Sequence, residues 1–261
     1  MIDLNRKLPI GIQTFEKIRK GNYLYVDKTA LVGKMVSTSI PYFLSRPRRF
    51  GKSLLISTFE AYFLGRKDLF EGLAISQMEV DWQVYPVFHI DLNARKYDSP
   101  ADLIAMLNQH LEKWEAIYGT EKQDRQPEER FAYIIERACV QTGKQVVVLV
   151  DEYDKPMLQA IGNEELQKYY RNTLKPFYGA LKSKDGCIKL GFLTGVTKFG
   201  KVSVFSDLNN LIDISMDEQY VELCGITEKE IHDNMEEDLH ILADKQKMTY
   251  EEVCSELKEC Y

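Results

Sequence analysis

Gly51-Lys52-Ser53 is the smallest group of residues in this chain whose types and order suggest a chemistry. A lysine ammonium beside a hydroxyl, at the start of a helical pattern, can hold a phosphate and its magnesium ion. The run Tyr42-Phe43-Leu44-Ser45 and the basic turn Arg46-Pro47-Arg48-Arg49-Phe50 precede it, and Leu54, Leu55, Ile56, Phe59 and Phe63 follow at helical spacing. Strand, turn and helix in that order form the context of a phosphate-binding loop. Arg46, Pro47, Arg48, Arg49, Phe50, Gly51, Lys52, Ser53 and Leu54 are then the phosphate-binding residues. Main-chain N–H groups at the helix start face the phosphates, Lys52 reaches the β and γ oxygens, and Ser53 is a magnesium ligand. The pattern G-x-x-x-x-G-K-[ST] departs at its first position, where this chain has Arg46. A bare Gly-Lys-Ser/Thr arises by chance in roughly one chain in ten of this length, so a second motif is needed.

Asp151-Glu152-Tyr153-Asp154 supplies it. These residues end the β-branched run Val146-Val147-Val148-Leu149-Val150, which reads as a strand buried on both faces of a parallel sheet. Three carboxylates within four residues at a core edge repel one another and resist desolvation, unless a divalent cation and a phosphate lie above them. In that reading Asp151 belongs to the magnesium shell, and Glu152 orients or deprotonates the attacking water. A later run, 188 to 194, ends in Thr194, with Thr197 and Lys198 just beyond. Either threonine is a candidate reporter of the γ-phosphate, so the expected catalytic set is Lys52, Glu152, Thr194 and Thr197.

Five strands must position these groups: 41–45, 86–92, 145–150, 188–194 and 211–215. The expected fold is α/β, a three-layer P-loop NTPase fold with a mostly parallel five-stranded sheet and a small C-terminal helical segment. In the P-loop class whose metal-binding strand ends in Asp-Glu, the strand after the acidic one is inserted beside the loop strand. Helices are expected over 53–65, ending at Gly65, and after Ser99-Pro100-Ala101-Asp102, a serine N-cap with proline at the first position. Another is expected over 163–182, where Pro176 predicts a kink or two shorter helices. Upstream of the loop, Phe15, Tyr23 and Tyr25 are candidates for packing on a base, with ordinary aromatic core as the alternative. Asp91 ends the second strand as a site contributor or a cap, and His89 reads as a sheet histidine. Thr227 and Glu230 form a capping box that opens an acidic helical stretch. The expected division is a core over 1–221, then the start of a helical lid or linker over 222–261. The helical pattern reaches Tyr261 without a stop signal, as expected of a chain that continues.

The formal net charge of −6 is unevenly spread. Residues 228–261 hold 11 acidic and 4 basic side chains, while the other 227 hold 29 and 30, so the body is close to neutral. Nothing there marks nucleic acid as the main ligand of this stretch. No apolar run approaches the ~20 residues of a membrane span, and the first residues lack the apolar core of a signal peptide. Five scattered cysteines, with no C-x-x-C, fit a reduced cytoplasmic protein.

Several stretches together resemble the predicted AAA-ATPase-like family of bacteria and archaea. They are Gly11-Ile12-Gln13-Thr14-Phe15-Glu16, Tyr25-Val26-Asp27-Lys28-Thr29, the loop Arg46 to Ser53, Asp151-Glu152-Tyr153-Asp154-Lys155-Pro156, and Phe205-Ser206-Asp207-Leu208-Asn209-Asn210-Leu211. The family's loop is similar in carrying Arg where the first Gly is expected. The resemblance implies ATP and Mg²⁺ as cofactors and an ATPase whose nucleotide state acts on an attached effector. Longer members carry a PD-(D/E)XK nuclease-type domain, and no acidic strand pair with a following Lys appears after residue 222. Two other functions fit the same residues: a nucleotide-gated switch or scaffold with negligible turnover, and a nucleic-acid-processing module serving the nuclease-type domain. Arg48 and Arg49 are expected to add charge over the phosphates or to face a neighbouring subunit, which makes a homo-oligomer an expected partner. The absence of an N-K-x-D-like guanine reader mildly favours ATP, with GTP as the alternative.

Overall fold

Short, continuous apolar runs can be buried on both faces only in the middle layer of a sandwich, and the chain uses them so. The computed structural model describes residues 6–79, 81–121, 124–197 and 210–260. Strands β1 (Tyr42–Ser45), β2 (Val87–Asp91), β3 (Val146–Asp151), β4 (Ile188–Gly195) and β5 (Ile212–Asp213) form one sheet. Its order is β2-β3-β4-β1-β5, and every pairing is parallel. The strand after the acidic one therefore lies beside the loop strand, as the sequence predicts. Because all strands run the same way, Ser45, Asp91, Asp151 and Thr194 come to one edge, the carboxyl edge.

Alternation along the strands sorts side chains into two cores. Val146, Val148 and Val150 join Phe43 on the face covered by α5 (Pro100–Tyr118), α6 (Pro127–Thr142) and α8 (Glu164–Ser183). Val147 and Leu149 join Tyr42, Leu44 and Phe192 on the face covered by α1 (Phe15–Lys20), α2 (Thr29–Val36) and α3 (Lys52–Phe63). Phe131 and Phe177 stack at 4.5 Å, tying α6 to α8. The remaining helices are α4 (Ile75–Met78), α7 (Lys155–Gln159), α9 (Glu228–Gln246) and α10 (Tyr250–Cys260).

Local signals set most boundaries. Asp102 accepts from the Ser99 amide at 2.8 Å to open α5, and Glu230 accepts from the Thr227 amide at 2.9 Å to open α9. Beyond the end of α3, Gly65 has φ +69°, the left-handed stop expected there. Two expectations are corrected. Pro176 does not divide α8, which runs unbroken for 20 residues. The carbonyl that loses its donor belongs to Asn172, which, like Pro176, is exposed, so solvent can take the donor's place. The buried stripe Leu166, Tyr170, Leu174, Phe177 and Leu181 then holds both halves on the sheet. The last strand is only two residues long, because Asp213 turns the chain by accepting from the Ser215 amide at 2.9 Å.

Leu223 and Cys224 pack with the core on the α3 face. Beyond them, α9 and α10 gather their own cluster around Leu239, Ala243 and Val253. No helix among the described residues is long and apolar enough to cross a membrane.

Candidate phosphate and acidic-edge site

β1 delivers the chain to the carboxyl edge, and six residues separate its end from the start of α3. Gly51 is the N-cap of α3, with φ +87°. A Cβ there would meet nothing within 4 Å, so glycine is needed for the backbone angle, not for space. No side chain caps α3, which leaves the first-turn amides as open donors at the positive end of a 12-residue helix. Arg49 is also in the left-handed region, at φ +69°, whereas Arg46 is not. The glycine missing from the loop pattern is thus not required by this backbone.

Arg46 has another task. Its amide donates to the Gly195 carbonyl at 3.1 Å, and its guanidinium donates to the carbonyls of Ser45 at 3.0 Å and Ser215 at 2.6 Å. A longer contact, 3.5 Å, reaches the Val221 carbonyl. Beside it the Ser45 amide donates to Ser215 Oγ at 2.8 Å. Arg46 therefore straps the loop to the chain after β5 and points no charge at the phosphate position. Pro47, Arg48, Arg49 and Phe50 are exposed, and no described residue pairs with either arginine of that turn. Phe50 accepts the Gly225 amide at 2.9 Å, and its ring lies against Gly225. Ser53 and Leu54 are half-buried on the first turn of α3.

Lys52 is 4% exposed. Its ammonium donates to the carbonyls of Arg46 and Pro47, both at 3.2 Å, and lies 3.4 Å from the Glu152 carboxylate. The lysine of the loop and the glutamate of the acidic strand, a hundred residues apart, are thus in contact. Glu152 has φ +55°, a left-handed geometry that costs a non-glycine residue about 1–2 kcal/mol. Asp151 is 5% exposed and accepts the Thr194 hydroxyl at 2.7 Å. Asp154 is fully buried and accepts the amides of Val196 at 3.0 Å and Thr197 at 2.6 Å, together with the Thr197 hydroxyl. Each threonine hydroxyl has one proton, and each gives it to a carboxylate. Cys224 also borders the loop. Burial pushes its thiol up to about 12, against the pull of Arg46, Lys52 and Lys28, so it is a packing group and not a nucleophile.

Other sequence candidates lie elsewhere. Phe15 is fully enclosed, 5.1 Å from Tyr25 and 4.8 Å from Phe70 between ring centres, so its ring is core and not a platform for a base. Tyr25 packs on Phe15, and Tyr23 carries the Lys7 ammonium 5.8 Å above its ring. Asp91 accepts the Asn93 amide at 2.8 Å and acts as a cap. His89 pairs with Glu60 of α3 at 3.1 Å. Lys198 and Phe205 to Asn209 lie outside the described residues. Sequence reasoning missed Ser215 as a loop partner and gave Asp154 no role. The strap to Ser215 spans 169 positions and has no local signature. The Asp154 role could have been suspected from its place in an otherwise buried acidic turn.

A magnesium ion bound by phosphate loops takes few protein ligands and keeps several waters. Ser53 and Asp151 at one edge fit that pattern, and among the described residues no group of three or more His, Cys, Asp or Glu forms a cage of its own. A cavity of about 450 Å³ opens between Asp27, Lys28 and Leu31 on one side and Glu218, Val221, Glu222 and Glu230 on the other, and Arg46 of the loop reaches the carbonyl of its lining residue Val221 at 3.5 Å.

The chain is similar to known proteins over most of its length. An uncharacterized protein in the vnfD 5′ region of Azotobacter chroococcum mcd 1 is 42% identical over 228 residues, covering 87% of this chain and 44% of that protein. The chain therefore spans less than half of that relative's length. Among solved structures, the Aeropyrum pernix ORC2 protein (ADPNP-ADP complexes) is matched at a TM-score of 0.38 and 13% identity, over 91% of this chain and 53% of that one. Residues 9–205 match the family described as Predicted AAA-ATPase, and with most of its length inside that match this chain belongs to that family.

Proposed function

We propose that the carboxyl edge of the sheet binds ATP with Mg²⁺ and hydrolyses it. The observation that carries this reading is the contact between Lys52, buried beneath an uncapped helix start, and Glu152, at the end of the acidic strand. The open amides of α3 and the Lys52 ammonium would take the phosphates. Ser53 and Asp151 would hold the magnesium, which neutralises phosphate charge when bound. Thr194 fixes the direction of the Asp151 carboxylate, and Glu152 is the group positioned to take a proton from water. Arg48 and Arg49, exposed and without a partner among the described residues, would approach phosphate or a neighbouring subunit. The acidic lining of the 450 Å³ cavity repels phosphate and suits the amino edge of a base, so triphosphate and base are proposed to divide between loop and cavity. Effector coupling and a cytoplasmic setting belong to the same proposal.

Phosphate release measured with ATP and with GTP, with and without Mg²⁺, tests it. Mg²⁺-dependent release from ATP is expected, and Lys52→Ala should weaken ATP binding at least tenfold. Unaltered affinity in that variant would refute the loop reading.

A further inference from the structure

Asp154 occupies the N-cap position of α7, where an aspartate ordinarily bonds the amides of its own helix. Its side chain makes no cap bond. One carboxylate oxygen instead crosses to the end of β4 and accepts the amides of Val196 and Thr197 and the Thr197 hydroxyl. The other oxygen is buried without a partner among the described residues. A fully buried carboxylate that forgoes its local cap is a costly choice for a turn that only needs to be closed.

The same turn carries Glu152 in its left-handed conformation. Strained backbone persists only where its surroundings over-determine it. Three features do so here. The Tyr153 amide donates to the Thr194 carbonyl at 2.9 Å. A Cβ on Gly195 would come within 2.3 Å of the Tyr153 ring and 2.8 Å of Asp154, so the two turns touch without a side chain between them. The third is the set of donors that converges on Asp154, whose acceptor one substitution removes; the Tyr153 hydroxyl adds a bond to the Thr197 carbonyl at 3.2 Å.

We infer that Asp154 is a positioning residue that acts through Glu152, clamping the turn after β3 to the turn after β4 so that the Glu152 carboxylate stays on Lys52. The inference rests on the ATP-site reading above. It reaches a consequence that a purely structural role would not produce. Without the clamp Glu152 relaxes to an ordinary backbone angle and leaves Lys52, so phosphate meets a lysine with no competing carboxylate. Binding should tighten while hydrolysis fails.

ATP affinity, single-turnover phosphate release and thermal unfolding are measured for the wild-type chain, Asp154→Ala, Asp154→Asn, Glu152→Gln and the double variant Glu152→Gln/Asp154→Ala. For Asp154→Ala, ATP affinity is expected to rise about three- to tenfold, the scale of one ion pair, and phosphate release to fall about 10- to 100-fold, the scale of a displaced catalytic group. Asp154→Asn, whose amide oxygen can accept the same donors, should stay within about twofold of wild type in both measures. The double variant should match Glu152→Gln alone, because both changes remove one function. Lowered or unchanged affinity in Asp154→Ala, or an additive double variant, overturns the inference. Should Asp154→Ala fail to fold, Thr197→Val removes one of the three donors and must shift both measures the same way; wild-type values there overturn it. If the wild-type chain binds ATP without releasing phosphate, the affinity comparison alone decides. A wild-type chain that binds no ATP overturns the site reading itself, a result seen before any variant is compared.

Discussion

Arg46 shows how a residue can look like a defect in one pattern while serving another. In the loop pattern its position belongs to glycine, yet the backbone there is not left-handed, and the two positions that are, Arg49 and Gly51, lie further on. The guanidinium satisfies the carbonyls of Ser45 and Ser215 near a buried strand end. Restoring the expected glycine should therefore harm the protein. Arg46→Gly removes two good hydrogen bonds from a charged donor and adds backbone freedom to the unfolded chain, a loss of about 2–4 kcal/mol together. Thermal or urea unfolding of that variant is expected to show this loss, and an equal or higher stability would show that the strap contributes nothing. The types of Lys52, Ser53, Asp151 and Glu152 and their order along the chain were legible in the sequence. The bond from Arg46 to Ser215 was not, because it depends on where the chain turns after a two-residue strand.

At the scale of elements, legibility followed periodicity. β3, with every residue buried, and α5, with its capping box, could be read directly because pattern and burial agree. β5 and the unbroken α8 could not, since a side-chain turn at Asp213 and solvent access at Asn172 override the local signal. The join between α3 and β2 carries a pH dependence. Burial pulls the His89 pKa down, but Glu60, assisted by Asp151 and Asp91, outweighs it and leaves the value above the ordinary 6.5. His110 nearby is shifted the other way by its own burial and adds no positive charge to the cluster at neutral pH. A raised histidine value stabilises the fold fully below the unfolded value and loses that contribution as pH rises through the folded one. The stability gap between wild type and His89→Gln should accordingly be larger near about pH 5.5 than near about pH 8.5. Melting curves at the two pH values test this, and a gap that widens with pH would contradict the pairing.

Taken as a whole, the molecule joins a neutral sandwich to an acidic helical pair by few contacts. Leu223 and Cys224 still belong to the sandwich core, whereas Leu239, Ala243 and Val253 pack among themselves. Among the described residues, polar straps cross the join from Arg6 to Asp238 at 2.8 Å and to the Asn234 carbonyl, and from Lys28 to Glu230 at the N-terminal turn of α9. Partly exposed ion pairs of this kind contribute about 0–1 kcal/mol each, small beside the burial of the two sandwich cores. A chain ending after Ile226 should then keep a cooperative unfolding transition within about 5 °C of the longer chain. Its ATP affinity should nonetheless fall, because the cavity proposed for the base loses the wall that Glu230 provides. Stability retained with affinity reduced would identify α9 and α10 as a lid over the base. Loss of the cooperative transition would instead make them part of the fold, and unchanged affinity would leave the cavity without a role in nucleotide binding.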